Sequence, residues 1–429
     1  MWAPASIASD RAATRAAPTT SALDRSRKAG HNPPMSIHDA PLEPGQAAAA
    51  APGKAMPPAS DPATAGGHLT IDLTAIEANW RALSGRTVPI ECAAVVKADA
   101  YGCGLEAVTA RLAKAGCKTF FVADLAEGAR VRALARDAVI YVLNGLLPQT
   151  AQAFAAANLR PVINGPAELA EWDAFVAATS WRGGAALHVD TGMNRLGLSP
   201  DEAVAVASRV QLENHGFTLL MSHLACAETP SNSMNDRQIR LFRELRILFR
   251  GVSSSLANSS GIFLGGGTVH CDLVRPGVAL FGGNPTPGQS NPMRPVVELK
   301  GRIVQVREVK RGDTVGYGAS YTAQRPSRLA IVAVGYADGF LRSAAGDRNK
   351  PPAQVIVAGK RCPLAGRVSM DLIAVDVTDV PDGRARRGDF ATLIGAELGI
   401  DELAAALGTI SYEVLTRLGH RLHRVYKGA

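Results

Sequence analysis

The chain is poor in aromatic residues, 5% of the total, and carries only six cysteines in 429 residues. These are Cys92, Cys103, Cys117, Cys226, Cys271 and Cys362, and they form neither a CxxC pair nor a cluster with histidine. A disulfide scaffold is excluded, no metal site is expected, and reduced thiols in the cytoplasm are the expectation. No apolar stretch approaches the roughly 20 residues that span a bilayer, so no membrane partner is expected. The opening residues MWAPASIASDRAATRAAP place Asp10 and Arg11 where the apolar core of a signal peptide belongs. Long basic runs are missing too: 46 Lys and Arg against 38 Asp and Glu give a net charge of +8 spread along the chain. With so few aromatics to stack on bases, that balance favours a small anionic ligand over nucleic acid.

What is present reads as a folded protein of more than one domain, since 47% of the residues are hydrophobic and 20% charged. Residues 1–66 are an Ala- and Pro-rich extension whose one aromatic is Trp2, and the expectation for them is disorder. From His68, LTIDLTAIEANWRAL offers a strand, a helix cap at Asp72 or Thr74, and then Ile76, Trp80 and Leu83 at helical spacing. Short apolar runs follow at 93–99, 120–125, 139–145, 160–165, 185–190, 219–224, 255–260 and 274–282, alternating with Ala-rich helical stretches. Eight such runs predict an α/β fold, a (β/α)8 TIM barrel over 67–294; a doubly wound sheet is the competing architecture. Beyond 295 the period becomes two, as in VELKGRIVQVREV, which predicts a mainly β C-terminal domain over 295–429 with short helices at 401–407 and 412–418.

Barrel chemistry sits at the C-terminal ends of the strands. The polar residues there are Lys97, Asp190, Arg195, His223, Asn258, Ser259 and Arg275. An amine directly after the apolar run AAVV sits in a partly desolvated place that favours its neutral, nucleophilic form. Spacing alone leaves open that Lys97 simply reaches solvent from a strand end. Tyr101, four residues on in a glycine-containing turn, is able to hydrogen-bond an oxyanion.

AAVVKADAYGCG resembles the cofactor-lysine motif of the alanine racemases, the pyridoxal-phosphate enzymes that interconvert L- and D-alanine. VDTGMNRLG (189–197), MSHL (221–224), ANSS (257–260), DLVRPGVALFG (272–282), VGYGASYTA (315–323), VGYADGFLR (334–342), GRVSMD (366–371) and SYEVLTRLG (411–419) are similar to that family in its order. The resemblance implies that Lys97 holds pyridoxal 5'-phosphate and serves as base on the D-alanine face. It implies Tyr321 as the opposite base, supplied by the other subunit of a head-to-tail homodimer. Arg275 is implied at the pyridine nitrogen with His223 beside it. Tyr101, Ser259, Tyr412 and the backbone of Gly277 and Val278 are implied around the phosphate, with Asn258 adjoining. Arg195 is implied at the substrate carboxylate, aided by the backbone of Met370 from the partner, and Arg342 at the entrance with Tyr321, Ile410 and Tyr412.

One departure matters. Two residues before Asp190, where many members carry a lysine modified to an anionic carbamate, this chain has His188, and an imidazole forms no stable carbamate. A bound anion, a carboxylate or nothing then replaces that charge. Ser369 stands where some members have cysteine, and the glycines of LGGGTV (264–269) are expected to be a connection rather than a phosphate loop. The rival readings are a broad-specificity amino-acid racemase of the same fold, a basic amino-acid decarboxylase, and a single-barrel protein that binds the cofactor without catalysis. The β domain with Tyr321 speaks against the last.

Overall fold

The computed structural model describes residues 61–209, 216–347 and 349–429. The expectation of disorder over 1–66 falls, for residues 1–60, outside the described residues. Residues 61–66 do pack: Ala65 is buried, and Thr64 N–H and Ala65 N–H both donate to Asp61 O at 3.0 Å.

Seven strands form one parallel sheet in sequence order: β3 (Ala94–Val95), β4 (Thr119–Val122), β5 (Val139–Val142), β6 (Arg160–Ile163), β7 (Ala185–His188), β8 (Phe217–Met221) and β9 (Ser253–Ser255). Most are short apolar runs because both faces are covered, by helices outside and by the other strands within; TFFV of β4 and AALH of β7 are buried at every position, whereas β9 is three serines. An eighth strand, β10 (Leu273–Val274), closes the sheet. It pairs in parallel with β2 (Glu91–Cys92), which leads directly into β3. On its other side Asp272 N–H reaches Ser254 O at 3.0 Å and Arg275 N–H reaches Ala257 O at 2.9 Å. Six of the eight sequence runs contain most of a barrel strand, while 255–260 and 274–282 each share only their first residue with β9 and β10 and otherwise follow them; the fold is a barrel rather than a doubly wound sheet.

The C-terminal part is mainly β, and β11 (Val297–Val309) is its spine. The first half of β11 pairs antiparallel with β18 (Phe390–Ile394), and from Ile303 on it pairs antiparallel with β14 (Ser327–Val332), with a register shift between Ile303 and Gln305. In this way one bent strand serves two sheet faces. The hairpin β12 (Thr314–Val315) and β13 (Tyr321–Thr322) projects beyond it. β15 (Gln354–Val357) and β16 (Lys360–Pro363) extend the sheet past β18, and β17 (Ile373–Asp376) flanks β14. Helices Ile400–Leu407 and Ser411–Thr416 close it.

The first strand differs from its expected place in the barrel. β1 (Gly67–Asp72) alternates buried and half-buried residues, and its hydrogen bonds go to β11, antiparallel, and to the final strand β19 (His423–Lys427), parallel. Its period-two pattern suits a sheet with one covered face, unlike the continuous apolar runs of the barrel. Asp72 then caps the helix Leu73–Thr87, its Oδ1 accepting Ala75 N–H at 2.9 Å.

One buried amide fastens that helix to the segment that leaves the barrel. Asn79, 2% exposed, donates from Nδ2 to Leu280 O (3.2 Å) and Arg294 O (3.0 Å) and accepts Arg294 N–H (2.8 Å). Asn79→Ala strands three backbone groups at the exit of the barrel. It should lower the unfolding free energy by about 2–4 kcal/mol, measured by urea denaturation, because a buried group left unpaired costs its full desolvation.

Candidate active site

The C-terminal ends of the barrel strands surround a cavity of about 630 Å³. Its wall carries Lys97 and Tyr101 after β3, Phe121 of β4, Arg195 after β7, His223 after β8, Asn258 and Ser259 after β9, and Arg275, Gly277 and Val278 after β10. Ile410 and Tyr412 reach it from the C-terminal helices. Tyr321 and Met370, on β13 and on the loop between β16 and β17, do not line it, and neither does Arg342. Within one chain, then, the expected entrance keeps only Ile410 and Tyr412. The glycines of LGGGTV stand apart from the cavity.

Lys97 is followed by a reversal that sequence reasoning did not anticipate. Ala98, Asp99, Ala100 and Tyr101 all take left-handed backbone angles, with φ between 52° and 55°, and Gly102 follows at 76°. Four side-chain-bearing residues in that region cost about 4–8 kcal/mol together, at about 1–2 each. The coil puts Lys97 and Tyr101 on the same cavity wall. Nothing in the residue types signals it, since only Asp99 among the four is a type that tolerates such angles.

Tyr101 is 6% exposed and stacks on Phe281, ring centroids 4.8 Å apart; Tyr412 lies 6.0 Å from it, tilted. Its phenol presses on the main chain at Gly277, where a Cβ would come within 2.1 Å of the oxygen, so glycine is required there. Ser259 Oγ accepts N–H bonds from Gly277 (2.9 Å) and Ala279 (3.3 Å). Both of its lone pairs are then engaged, which leaves the hydroxyl proton to donate. Burial pushes the Tyr101 phenol far up and the Tyr412 phenol up to about 12, so both are proton donors at neutral pH.

Arg275 is 4% exposed, and its guanidinium donates to Ser255 Oγ at 2.5 Å and Ser222 O at 2.6 Å. Burial lowers it to about 10, so it remains a cation. Ser222 and Ser255, which the sequence reading passed over, are the groups that hold it. The charge then acts on its neighbours. Burial first, then Arg275, lowers His223 to about 3 and His188 to about 4, and both imidazoles are neutral. Burial and then the Arg195 charge lower Lys97 below the usual lysine range, opposed by Glu127.

His188 is fixed by Asn164, whose Nδ2 donates to Val162 O (2.9 Å) and Leu143 O (3.4 Å). Asn164 Oδ1 must therefore accept from His188 Nδ1 at 2.8 Å, which places the imidazole proton on Nδ1. The nearby Asp190 carboxylate is occupied by the N–H groups of Gly192, Met193 and Asn194, all at 2.9 Å. The one carboxylate on the cavity wall, Glu413, is paired with Thr409 and Arg417. Lys97, Arg195 and Arg275 with three hydroxyl donors make this a site for an anion.

Both imidazoles have pKa values depressed below the unfolded value of about 6.5. The unfolded chain therefore binds more protons below that pH, and stability must fall as pH drops from about 6.5 towards 4. His188→Gln, which keeps a donor to Asn164, should flatten this decline by up to about 1.4 kcal/mol per pH unit, read from denaturation of the cofactor-free protein at stepped pH.

Comparison with known proteins places these features in a family. Residues 71–285 match the model of the alanine racemase N-terminal domain, and residues 296–426 that of the C-terminal domain. The alanine racemase of Methylobacterium sp. (strain 4-46) is 53% identical over 361 residues, 84% of this chain and 98% of that one. A biosynthetic and a catabolic alanine racemase of Agrobacterium fabrum are 47% and 43% identical, covering 84% of this chain and 93% and 92% of their own lengths. Among solved structures, the Bartonella henselae alanine racemase with covalently bound pyridoxal phosphate superposes with a TM-score of 0.80 at 36% identity, over 84% of this chain and 99% of that one. With both domain models matched and relatives near half identical along almost their whole length, the chain belongs to the alanine racemase family.

Proposed function

We propose that this chain is a pyridoxal-phosphate-dependent alanine racemase, working in the cytoplasm as a homodimer with composite active sites. The observation that carries the reading is the anion cavity at the barrel mouth, with a desolvated lysine beside it. Its donors fit the cofactor: hydroxyls of Tyr101, Ser259 and Tyr412 and the Gly277–Val278 backbone would hold the phosphate, and Lys97 would hold the ring through its amine. When bound, the cofactor withdraws electrons from the substrate α-carbon and makes its proton removable.

Arg195 would bind the substrate carboxylate. Because His188 is neutral, it places no counter-charge beside that guanidinium. Arg275 has no acceptor atom and stays protonated, so it would leave the ring nitrogen without a proton. That limits how much negative charge is stored, which suits proton return at the same carbon over side reactions and argues against the decarboxylase. Lys97 Nζ takes or returns the α-proton on the D-alanine face. Tyr321 serves the opposite face, as inversion demands.

Tyr321 lies outside the cavity of its own chain, and this supports a second copy as its user. Tyr317, Met370 and Leu372 leave apolar surface exposed in the same domain, at 67%, 53% and 39%. Ile410 and Tyr412 at the rim narrow the access and favour a substrate as small as alanine over the broad-specificity alternative. Among the described residues no helix is long and apolar enough to cross a membrane.

Incubation of the cofactor-loaded protein with single L-amino acids, read by chiral chromatography, should give D-alanine as the dominant product. Comparable D-lysine, D-arginine or D-methionine would instead establish the broad enzyme. Tyr321→Phe should lower kcat by about 100- to 10,000-fold, the usual contribution of a general acid–base group. Composite sites have a further signature. Lys97→Ala and Tyr321→Phe chains, each inactive alone, should recover about a quarter of wild-type activity when refolded together in equal amounts, since half the dimers carry one intact site of two.

A further inference from the structure

The left-handed coil behind Lys97 is gripped by two side chains that do not line the cavity. From the barrel, Glu127 on the helix Leu125–Leu134 accepts Asp99 N–H on Oε1 at 3.1 Å and Ala123 N–H on Oε2 at 2.9 Å. From the C-terminal sheet, Arg424 on β19 donates from Nη1 to Gly102 O at 2.6 Å and from Nη2 to Leu418 O at 3.0 Å. One bond holds an N–H near the start of the coil and the other the carbonyl at its end. The register of β19 is set by β1, where Leu69 stands opposite Arg424, so the grip depends on the whole sheet being in place.

Two further contacts press the coil into the same space. A Cβ on Gly102 would lie 2.3 Å from Leu415 O, and one on Gly104 would lie 2.0 Å from the Tyr426 phenol oxygen. Asp99 Oδ1 accepts Leu105 N–H at 3.0 Å and tethers the coil to the next helix. The end of the coil thus meets Leu415, Arg424 and Tyr426 of the second domain. Left-handed angles at Ala98, Asp99 and Ala100 do not persist by local preference, so these outside bonds decide the conformation.

We propose that Glu127 and Arg424 are positioning residues for the cofactor, holding the coil so that the Lys97 amine and the Tyr101 phenol face the cavity together. This rests on the reading of Lys97 as the cofactor lysine. Through Arg424 the mainly β domain then acts on the cofactor bound in its own chain. The Glu127 carboxylate also faces the Lys97 amine electrostatically and opposes the effect of burial there.

The test uses the full chain loaded with pyridoxal phosphate, as wild type, Glu127→Gln, Arg424→Met and Arg424→Lys. A glutamine accepts only one of the two N–H groups that Glu127 serves and turns an NH2 towards the other. Three quantities are read: the cofactor Kd by absorbance titration, the visible circular dichroism of the bound cofactor, and the thermal midpoint of the cofactor-free protein. Glu127→Gln and Arg424→Met should each raise Kd about ten- to a hundredfold, the value of one charge-assisted hydrogen bond, and change the dichroic band. The cofactor-free midpoint should move little, because the lost bond and the released backbone strain offset one another. Arg424→Lys, which still donates to Gly102 O, should restore most of the affinity. Unchanged Kd and dichroism in both disrupted variants would overturn the proposal, as would a lowered cofactor-free midpoint with Kd intact, which marks a purely structural role. A wild-type protein that neither binds the cofactor nor racemises alanine would overturn the functional reading itself.

Discussion

Arg275 is a full positive charge enclosed by the barrel, and among the described residues its hydrogen bonds go to neutral oxygens. Burying a charge without a counter-ion is costly, and a protein tolerates it only where several good hydrogen bonds replace the water. Here β8 and β9 supply those oxygens, Ser222 O and Ser255 Oγ, and β10 carries the arginine itself. The bond pattern therefore needs all three strands in register, which ties the site to closure of the barrel. Burial first, and then this charge, keep His188 and His223 neutral, and together with Arg195 the charge prepares the cavity for an anion.

Closure itself is a slender arrangement. β10 and β2 have two residues each, yet they join the last strand to the first. The chain then turns at Gly277 beneath the Tyr101 phenol, and Asn79 pins the following segment to the first helix. The positions that shape the cavity are thus also positions where the backbone has no room to vary. Gly277 is the plainest case, since its hydrogen makes way for a phenol oxygen that the site needs.

The two domains share one chain path at both ends. β1 and β19 enter the C-terminal sheet side by side, although the barrel lies between them in sequence. Ile410 and Tyr412 extend from the C-terminal part onto the cavity rim, while Tyr321 of the same chain lies outside the cavity. The C-terminal domain therefore shapes the rim of its own chain's cavity without bringing Tyr321 to it.

Hydrophobic periodicity alone marked the eight barrel runs and the change to period two after residue 295, because burial on both faces and burial on one face leave different patterns in a strand. Position at strand ends put Lys97, Arg195, His223, Ser259 and Arg275 among the candidates, and the family resemblance gave them their expected roles. The tertiary structure decided what those rules cannot see. The strand at Gly67–Asp72 joins the distant sheet because its partners β11 and β19 come from far along the chain. Ala98–Tyr101 coil left-handed against their own preference because Glu127 and Arg424, 28 and 322 residues from their bonding partners, hold them there. His188 is neutral because burial first, and then the distant Arg275 charge, make it so. In each case the deciding energy lies in a contact between residues far apart in sequence, and such a contact leaves no local pattern to read.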